Sequence, residues 1–359
     1  MKLTDFNYKI PTDRIAQYPL DKRDSSRLFV LDKKSCDFEH RKFGDIVEYL
    51  QAGDLLVLND TRVIPVRLCG NKPTGGKAEI TLIRELKKNI WEAFVKGLNE
   101  GRILLPQGIA ADVSRINGTL AKVRFDLPPD ILENSETDIK NILNEIGVMP
   151  LPVYIKRESA KSDEKQYQTV YAEKDGAIAA PTAGLHFTDD LLQSICKKGV
   201  EVRFITLHVG HGTFKPVTAA DIREHKMDEE FFEIPEAAAT AVNAAKREGR
   251  RIIAVGTTVT RALESSAQKR ESNTITPGNG KASMFIYPGY EFQIVNTLLT
   301  NFHLPGSTPL MLASAFSGLD LLKKAYAEAS EKGYRFYSYG DAMLILQGSR
   351  EKRKDPFSE

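Results

Sequence analysis

Apolar and polar positions recur in two different periods along this chain, and the change of period separates two kinds of architecture. From about residue 176 onward helix-period and strand-period runs follow one another. Thr188 is placed to cap a helix whose first turn carries Asp189 and Asp190, and Gly199 closes it before the strand-like run Val200 to His208. Pro235 opens an alanine-rich helix that stops at Gly249, after which Arg250 to Val255 reads as a strand again. This alternation predicts an α/β main domain.

Residues 66 to 125 follow the other pattern. VRLCG, KAEITLIRE, WEAFVKG, RILLP, ADVSRI and TLAKVRF are short β-rich runs, broken at NKPTGG, NEG, PQG and NG. They predict an antiparallel meander or small barrel, with Asn117-Gly118 as its clearest hairpin turn. The expected organisation is an α/β main domain with an inserted small antiparallel β-barrel domain. Residues 1–65 and 151–359 form the discontinuous main domain, which carries the active-site cleft, and residues 66–150 form the insert. DLLVLNDTRVIP and MPLPVYI read as the two crossings between them, and the tail REKRKDPFSE as frayed and solvated.

Composition narrows the class. At 359 residues, 42% of them hydrophobic and 27% charged, the chain matches a soluble globular protein. No run approaches the ~18 apolar residues of a membrane span, and MKLTDFNYKIPTDR interrupts any signal-peptide core with charges and proline. A cytoplasmic monomer is expected. Cys36, Cys69 and Cys196 stand too far apart for a CxxC pair or a disulfide framework. Fifty basic against 48 acidic residues leave a net charge of +2, so any nucleic acid would have to meet local patches.

Three signals carry little. GNGKAS at 278 to 283 has the Gly-Lys of a phosphate loop, but Ala282 stands where Ser or Thr is needed. His208 and His211 flank Gly210 without a Cys pair or HExxH helix, so no metal is expected. No GxGxxG follows a strand, which argues against a Rossmann dinucleotide site.

Four junctions carry more: APTAGLHFT (180 to 188), LHVGHGTFKPV (207 to 217), VGTTVTRALE (255 to 264) and NFHLPGSTPLM (301 to 311). Each gathers small residues, hydroxyls or a histidine at a strand end or a helix start, where free N–H groups favour an anion. At the third, the Thr257 and Thr258 hydroxyls and Arg261 can grip a carboxylate or phosphate. Helix capping and ordinary loop structure explain the same residues without a ligand. In an open α/β sheet such loops converge on one cleft.

These junctions, together with IAQYPLDKRDSSRLFVL (15 to 31), LLVLNDTRVIPVRL (55 to 68), YQTVYA (167 to 172), FIYPGYEFQIVNTLLTNFHLPGSTPLM (285 to 311) and YRFYSYGDAMLIL (334 to 346), resemble the tRNA ribosyltransferase-isomerase family of queuosine biosynthesis over nearly the whole chain. The resemblance implies an α/β body with an inserted β-barrel. It also implies transfer and isomerisation of the ribosyl group of S-adenosylmethionine onto 7-aminomethyl-7-deazaguanine in the tRNA anticodon, releasing adenine and methionine. Two departures stand out. The family's His-x-Met-His-[Ser/Ala]-Glu reads His225-Lys226-Met227-Asp228-Glu229-Glu230 here, and VKGLNEGRILL (95 to 105) lacks a basic run often found in that segment.

The implied chemistry needs a base beside the sulfonium, whose charge acidifies the neighbouring carbon, and it requires neither metal nor redox cofactor. Side chains that titrate near neutrality suit it best. His186 or His208 is expected as base, with His303 and His225 as acid or orienting groups. Thr257, Thr258 and Arg261, with Gly210 and Gly212, are expected to bind S-adenosylmethionine, and Lys22, Arg23 and Arg27 to meet the tRNA. His40 and His211 read as structural. A plain RNA-binding protein and a methyltransferase of unusual fold are the competing readings.

Overall fold

The computed structural model describes residues 1–131, 139–210, 217–267 and 274–348. The tail, His211 and Gly212 therefore lie outside the described residues. Nine strands form the main sheet, in the order Gly278–Ala282, Glu230–Ile234, Glu201–Leu207, Leu55–Asn59, Ile252–Val255, Thr297–Asn301, Ala342–Leu346, Arg27–Asp32, Phe38–Lys42. The four strands from Glu201–Leu207 to Thr297–Asn301 pair in parallel, and an antiparallel pairing borders them on either side.

The central strands are short continuous apolar runs because both faces of the sheet are covered. In Leu55–Asn59, Leu55 and Val57 join a core that includes Ala238, Val242, Val259 and Leu263, whereas Leu56 and Leu58 join Phe187, Leu191 and Ile195 on the other face. The two-residue period of a strand thus divides one run between two helical layers. This places DLLVLND in the middle of the sheet, not in a crossing as expected. An apolar run that is buried on both sides carries no local sign of its position.

The cap predicted at Thr188 holds, and a second hydroxyl caps a later helix. Thr188 Oγ1 accepts the Leu191 N–H at 3.2 Å to open helix Asp189–Lys197. Ser307 Oγ accepts from Leu310 at 3.4 Å to open Thr308–Ser317.

All six β-rich runs between 66 and 125 become strands: Arg67–Asn71, Lys77–Lys87, Ile90–Lys96, Gly101–Leu104, Ala110–Asn117 and Leu120–Asp126. The first of these pairs with the fourth through Asn71 and Leu104, which closes an antiparallel barrel. It is not a plain meander, since Ile90–Lys96 pairs with Leu120–Asp126. Helix Ile139–Ile146 turns Ile139, Ile142, Leu143 and Ile146 into the barrel's own core. Among the described residues no helix is long and apolar enough to cross a membrane.

Candidate active site

The four parallel strands end on one side, and a cavity opens beyond their carboxyl ends, where open α/β sheets place ligands. Its empty space, open mouth included, is ≈ 790 Å³. Thr257, Thr258, Asn301, His303, Tyr154 and Tyr337 line it, and among the described residues none that lines it is Asp, Glu, Lys or Arg.

Gly256 turns strand Ile252–Val255 into helix Thr257–Ala267 at φ +93°, a conformation that favours glycine. The helix is buried throughout despite its polar sequence, because its charged groups are satisfied. Glu264 accepts the backbone N–H groups of Gln293, Ile294 and Val295 and the Tyr290 hydroxyl. Thr257 and Thr258 are thereby held at the cavity on a helix N-terminus, the position expected for them. On the opposite wall Tyr337 adopts φ +71°, uncommon for a residue with a side chain. Its N–H donates to Phe302 at 3.1 Å and its carbonyl accepts from Asn301 Nδ2 at 3.0 Å, so the sheet end holds the turn.

His303 is the one predicted histidine that lines this cavity. Its N–H donates to the Tyr326 hydroxyl at 2.9 Å, its carbonyl accepts from Tyr8, and Nε2 lies 2.7 Å from Thr300 Oγ1. Burial pushes its pKa down to about 3, so the ring is neutral at physiological pH.

His186 borders a second cavity, ≈ 800 Å³ with its open mouth included, that shares Ser338 with the first. Its Nδ1 is 2.7 Å from Ser26 Oγ, and Phe43 stacks on the ring at 4.9 Å. Burial brings its pKa down to about 4, and its Nε2 has no hydrogen-bond partner among the described residues.

The other predicted residues stand apart from the cavity. Val209 lines it, but the His208 ring lies against Gly176 and Phe231, with Nδ1 2.8 Å from Thr61 Oγ1. His225 packs edge-on against Phe285 at 5.0 Å. Arg261 is drawn into a buried ion pair with Glu230 and donates to the Ala282 carbonyl at 2.8 Å. Glu230 also accepts the Gly210 N–H at 2.9 Å, so one carboxylate ties together two residues expected at the cofactor.

Of the residues expected at RNA, Lys22 projects into solvent beside Asp24. Arg23 donates to the carbonyls of Lys165, Gln168 and Leu185, and Arg27 donates to Lys332 and lies 3.7 Å over the Tyr334 ring. Arg23, which lines the second cavity, therefore braces the fold there, and Arg27 braces the packing against Tyr334. No group of three or more His, Cys, Asp or Glu placed to hold a metal occurs among the described residues.

Sequence reasoning did not single out Asn301, Tyr154, Tyr337 or Glu230. Asn301 and Glu230 were within reach, as the first residue of NFHLPGSTPLM and the last of the His225 segment.

Residues 3–345 match the family described as queuosine biosynthesis protein. The chain is 50% identical over 353 residues to the S-adenosylmethionine:tRNA ribosyltransferase-isomerase of Thermodesulfovibrio yellowstonii, covering 96% of this chain and all of that one. It is 47% identical over 352 residues to the protein of the same name from Geotalea uraniireducens, again over 96% of this chain and all of the relative. Among solved structures, S-adenosylmethionine tRNA ribosyltransferase from Thermotoga maritima aligns at 35% identity with a TM-score of 0.54, over 95% of this chain and 100% of that one.

Proposed function

Because the chain belongs to the queuosine biosynthesis protein family, we propose that it acts in the cytoplasm as an S-adenosylmethionine:tRNA ribosyltransferase-isomerase. It transfers and isomerises the ribosyl moiety of S-adenosylmethionine to 7-aminomethyl-7-deazaguanine at the tRNA wobble position. The products are epoxyqueuosine in tRNA, adenine and methionine.

The observation that carries this reading is a cavity at the parallel strand ends with aromatic and neutral polar walls and no fixed charge among the described residues that line it. A carboxylate there would pair with the sulfonium and blunt its pull on the adjacent C–H. Neutral walls leave that acidifying charge intact, and the Tyr154 and Tyr337 rings suit a cation. The methionine carboxylate is assigned to Thr257 and Thr258, where the unpaired N–H groups of a helix start favour an anion.

His303 is assigned as the base. With Nε2–H donating to Thr300, Nδ1 is the basic nitrogen on a ring that lines the cavity. Its low pKa is less of a handicap than in an empty site. The proton moves from a carbon beside one cation to the ring, so net charge in the cavity is unchanged. Adenine then departs as the ribose opens, the aminomethyl nitrogen attacks, and epoxide closure expels methionine. No step requires a metal.

The target base is assigned to the second cavity, beside the solvent-exposed Lys22. Residues 66–150 are taken as the inserted domain because Val66 to Ile146 share a core of their own.

The test is incubation with S-adenosylmethionine, chelator and tRNA bearing the modified base. Adenine, methionine and a nucleoside heavier by the ribosyl-derived ring are expected, and tRNA with ordinary guanine should leave the cofactor intact. S-adenosylhomocysteine would establish methyl transfer instead. Intact cofactor alongside bound tRNA would leave a binding protein.

A further inference from the structure

Tyr18 lies in the run IAQYPLDKRDSSRLFVL and is 61% exposed. A single exposed aromatic ring is ordinary at a protein surface, but the way this one is held is not. The Arg157 guanidinium lies over it, 4.4 Å from the ring centroid. That guanidinium is itself fixed by two 2.7 Å hydrogen bonds to the buried Asp163 carboxylate and by bonds to the carbonyls of Gln17 at 2.9 Å and Glu158 at 3.1 Å. The backbone is pinned as well. Arg335 donates to the Tyr18 carbonyl, and the Gln17 side chain donates to the Tyr154 carbonyl at 3.0 Å and accepts the Lys156 N–H at 2.7 Å. The ring thus rests on a held cation while most of its surface faces water.

The same network reaches the second cavity. Tyr339, which lines that cavity, donates to Asp163 at 3.0 Å, and Pro19 and Leu20, the residues that follow Tyr18, line it too. Tyr18 therefore stands at the rim of the cavity assigned to the target base. A base that enters a protein cavity leaves the stack of its RNA loop, and the next base loses the partner that covered its face. Aromatic side chains take that place in single-stranded RNA recognition. We propose that Tyr18 is a stacking platform for the nucleobase adjacent to the target base in the anticodon loop, with Arg157 as the cation that holds the ring ready. This rests on the tRNA reading above and deepens it.

The charges around the rim leave stacking as the main source of affinity at this point. Lys165 and Asp21 both line the second cavity, and Lys22 stands beside Asp24. Arg23 and Arg27 are engaged by carbonyls, and Arg157 is neutralised by Asp163. A ring already fixed in place loses little freedom when a base arrives, so the contact is preorganised.

Binding of a fluorescently labelled anticodon stem-loop RNA that carries the modified base, read by anisotropy without S-adenosylmethionine, tests the platform. Tyr18→Leu should weaken binding by about tenfold or more and Tyr18→Trp by less than about threefold, because only the second keeps an aromatic face. The loss should be the same at low and high salt, since no charge is removed. Two further RNAs lack the base on the 5′ or the 3′ side of the target. On one of them wild type should lose about as much as the leucine variant loses on intact RNA, and Tyr18→Leu should then cost less than about threefold more. The wild-type measurement on these RNAs needs no variant to fold. Wild-type affinity in Tyr18→Leu, a full leucine effect on both of these RNAs, or a loss that shrinks as salt rises would overturn the platform. Wild type that binds the RNA yet releases no adenine from S-adenosylmethionine would sink the activity reading alone.

Discussion

His186 and His303 are titratable groups whose burial sets both their chemistry and a measurable cost. Their folded pKa values, about 4 and about 3, lie below the ordinary 6.5. Between 6.5 and those values the unfolded chain binds protons on these rings and the folded chain does not. Stability is therefore complete above pH 6.5 and falls as pH drops toward 4, by up to ~1.4 kcal/mol per unit for each ring. Urea unfolding at stepped pH should show that decline, and His186→Leu should flatten it. An unchanged slope would mean that the ring is already charged in the folded protein. Arg261 is the second case at this scale. It neutralises Glu230, which is 2% exposed, so Arg261→Ala leaves a buried carboxylate unpaired and should destabilise by about 3–5 kcal/mol. Arg261→Ala with Glu230→Gln should recover much of that loss in thermal melts, whereas a direct ligand role would leave stability intact and weaken cofactor binding.

At the scale of elements, the end of the barrel domain is fastened to its beginning by backbone. Gly147 and Val148 pair with Leu68 and Arg67, and a Cβ at Gly147 would overlap the Pro65 carbonyl and lie 2.6 Å from that of Leu143. Neither neighbour is a flexible side chain, so the strain cannot be relieved by a rotamer change. Gly147→Ala should destabilise by about 1–3 kcal/mol or more, read as a lower urea midpoint. The control is Gly75→Ala, where nothing lies within 4 Å and only the positive φ counts. Equal effects at the two sites would show that the crossing tolerates displacement. The six barrel strands were legible because their two-residue period and their turn residues are local properties. Helix Ile139–Ile146 was passed over: its apolar residues serve the barrel core, so its meaning depends on a partner folded from earlier residues.

At the scale of the molecule, separate cores raise the question of whether they unfold together. Trp91, the single tryptophan in the sequence, is 6% exposed in the barrel core, so its fluorescence reports that core while circular dichroism reports the whole. The barrel is expected to lose structure at its own urea midpoint, separating the two signals as in a chain with independent units. Coincident transitions at every temperature tried would show one cooperative unit. The same organisation bears on function, since the cosubstrate cavity is built from main-sheet strand ends and the crossing residue Tyr154.

Read alone, the chain determined the α/β body, the barrel strands, the helix caps and the junctions that carry Thr257, Thr258 and His303, because each is written within a few adjacent residues. The resemblance of those junctions to a known family supplied the reaction. Tertiary structure decided which junction residues meet. It took Arg261 to Glu230 across 31 positions of sequence, turned the His208 ring onto Gly176, and set His186 at the second cavity between Ser26 and Phe43. Residue type announces that a side chain can donate, accept or titrate. Its partner, its tautomer and the cavity it faces come from strand order and burial, which arise only when segments far apart in sequence pack together.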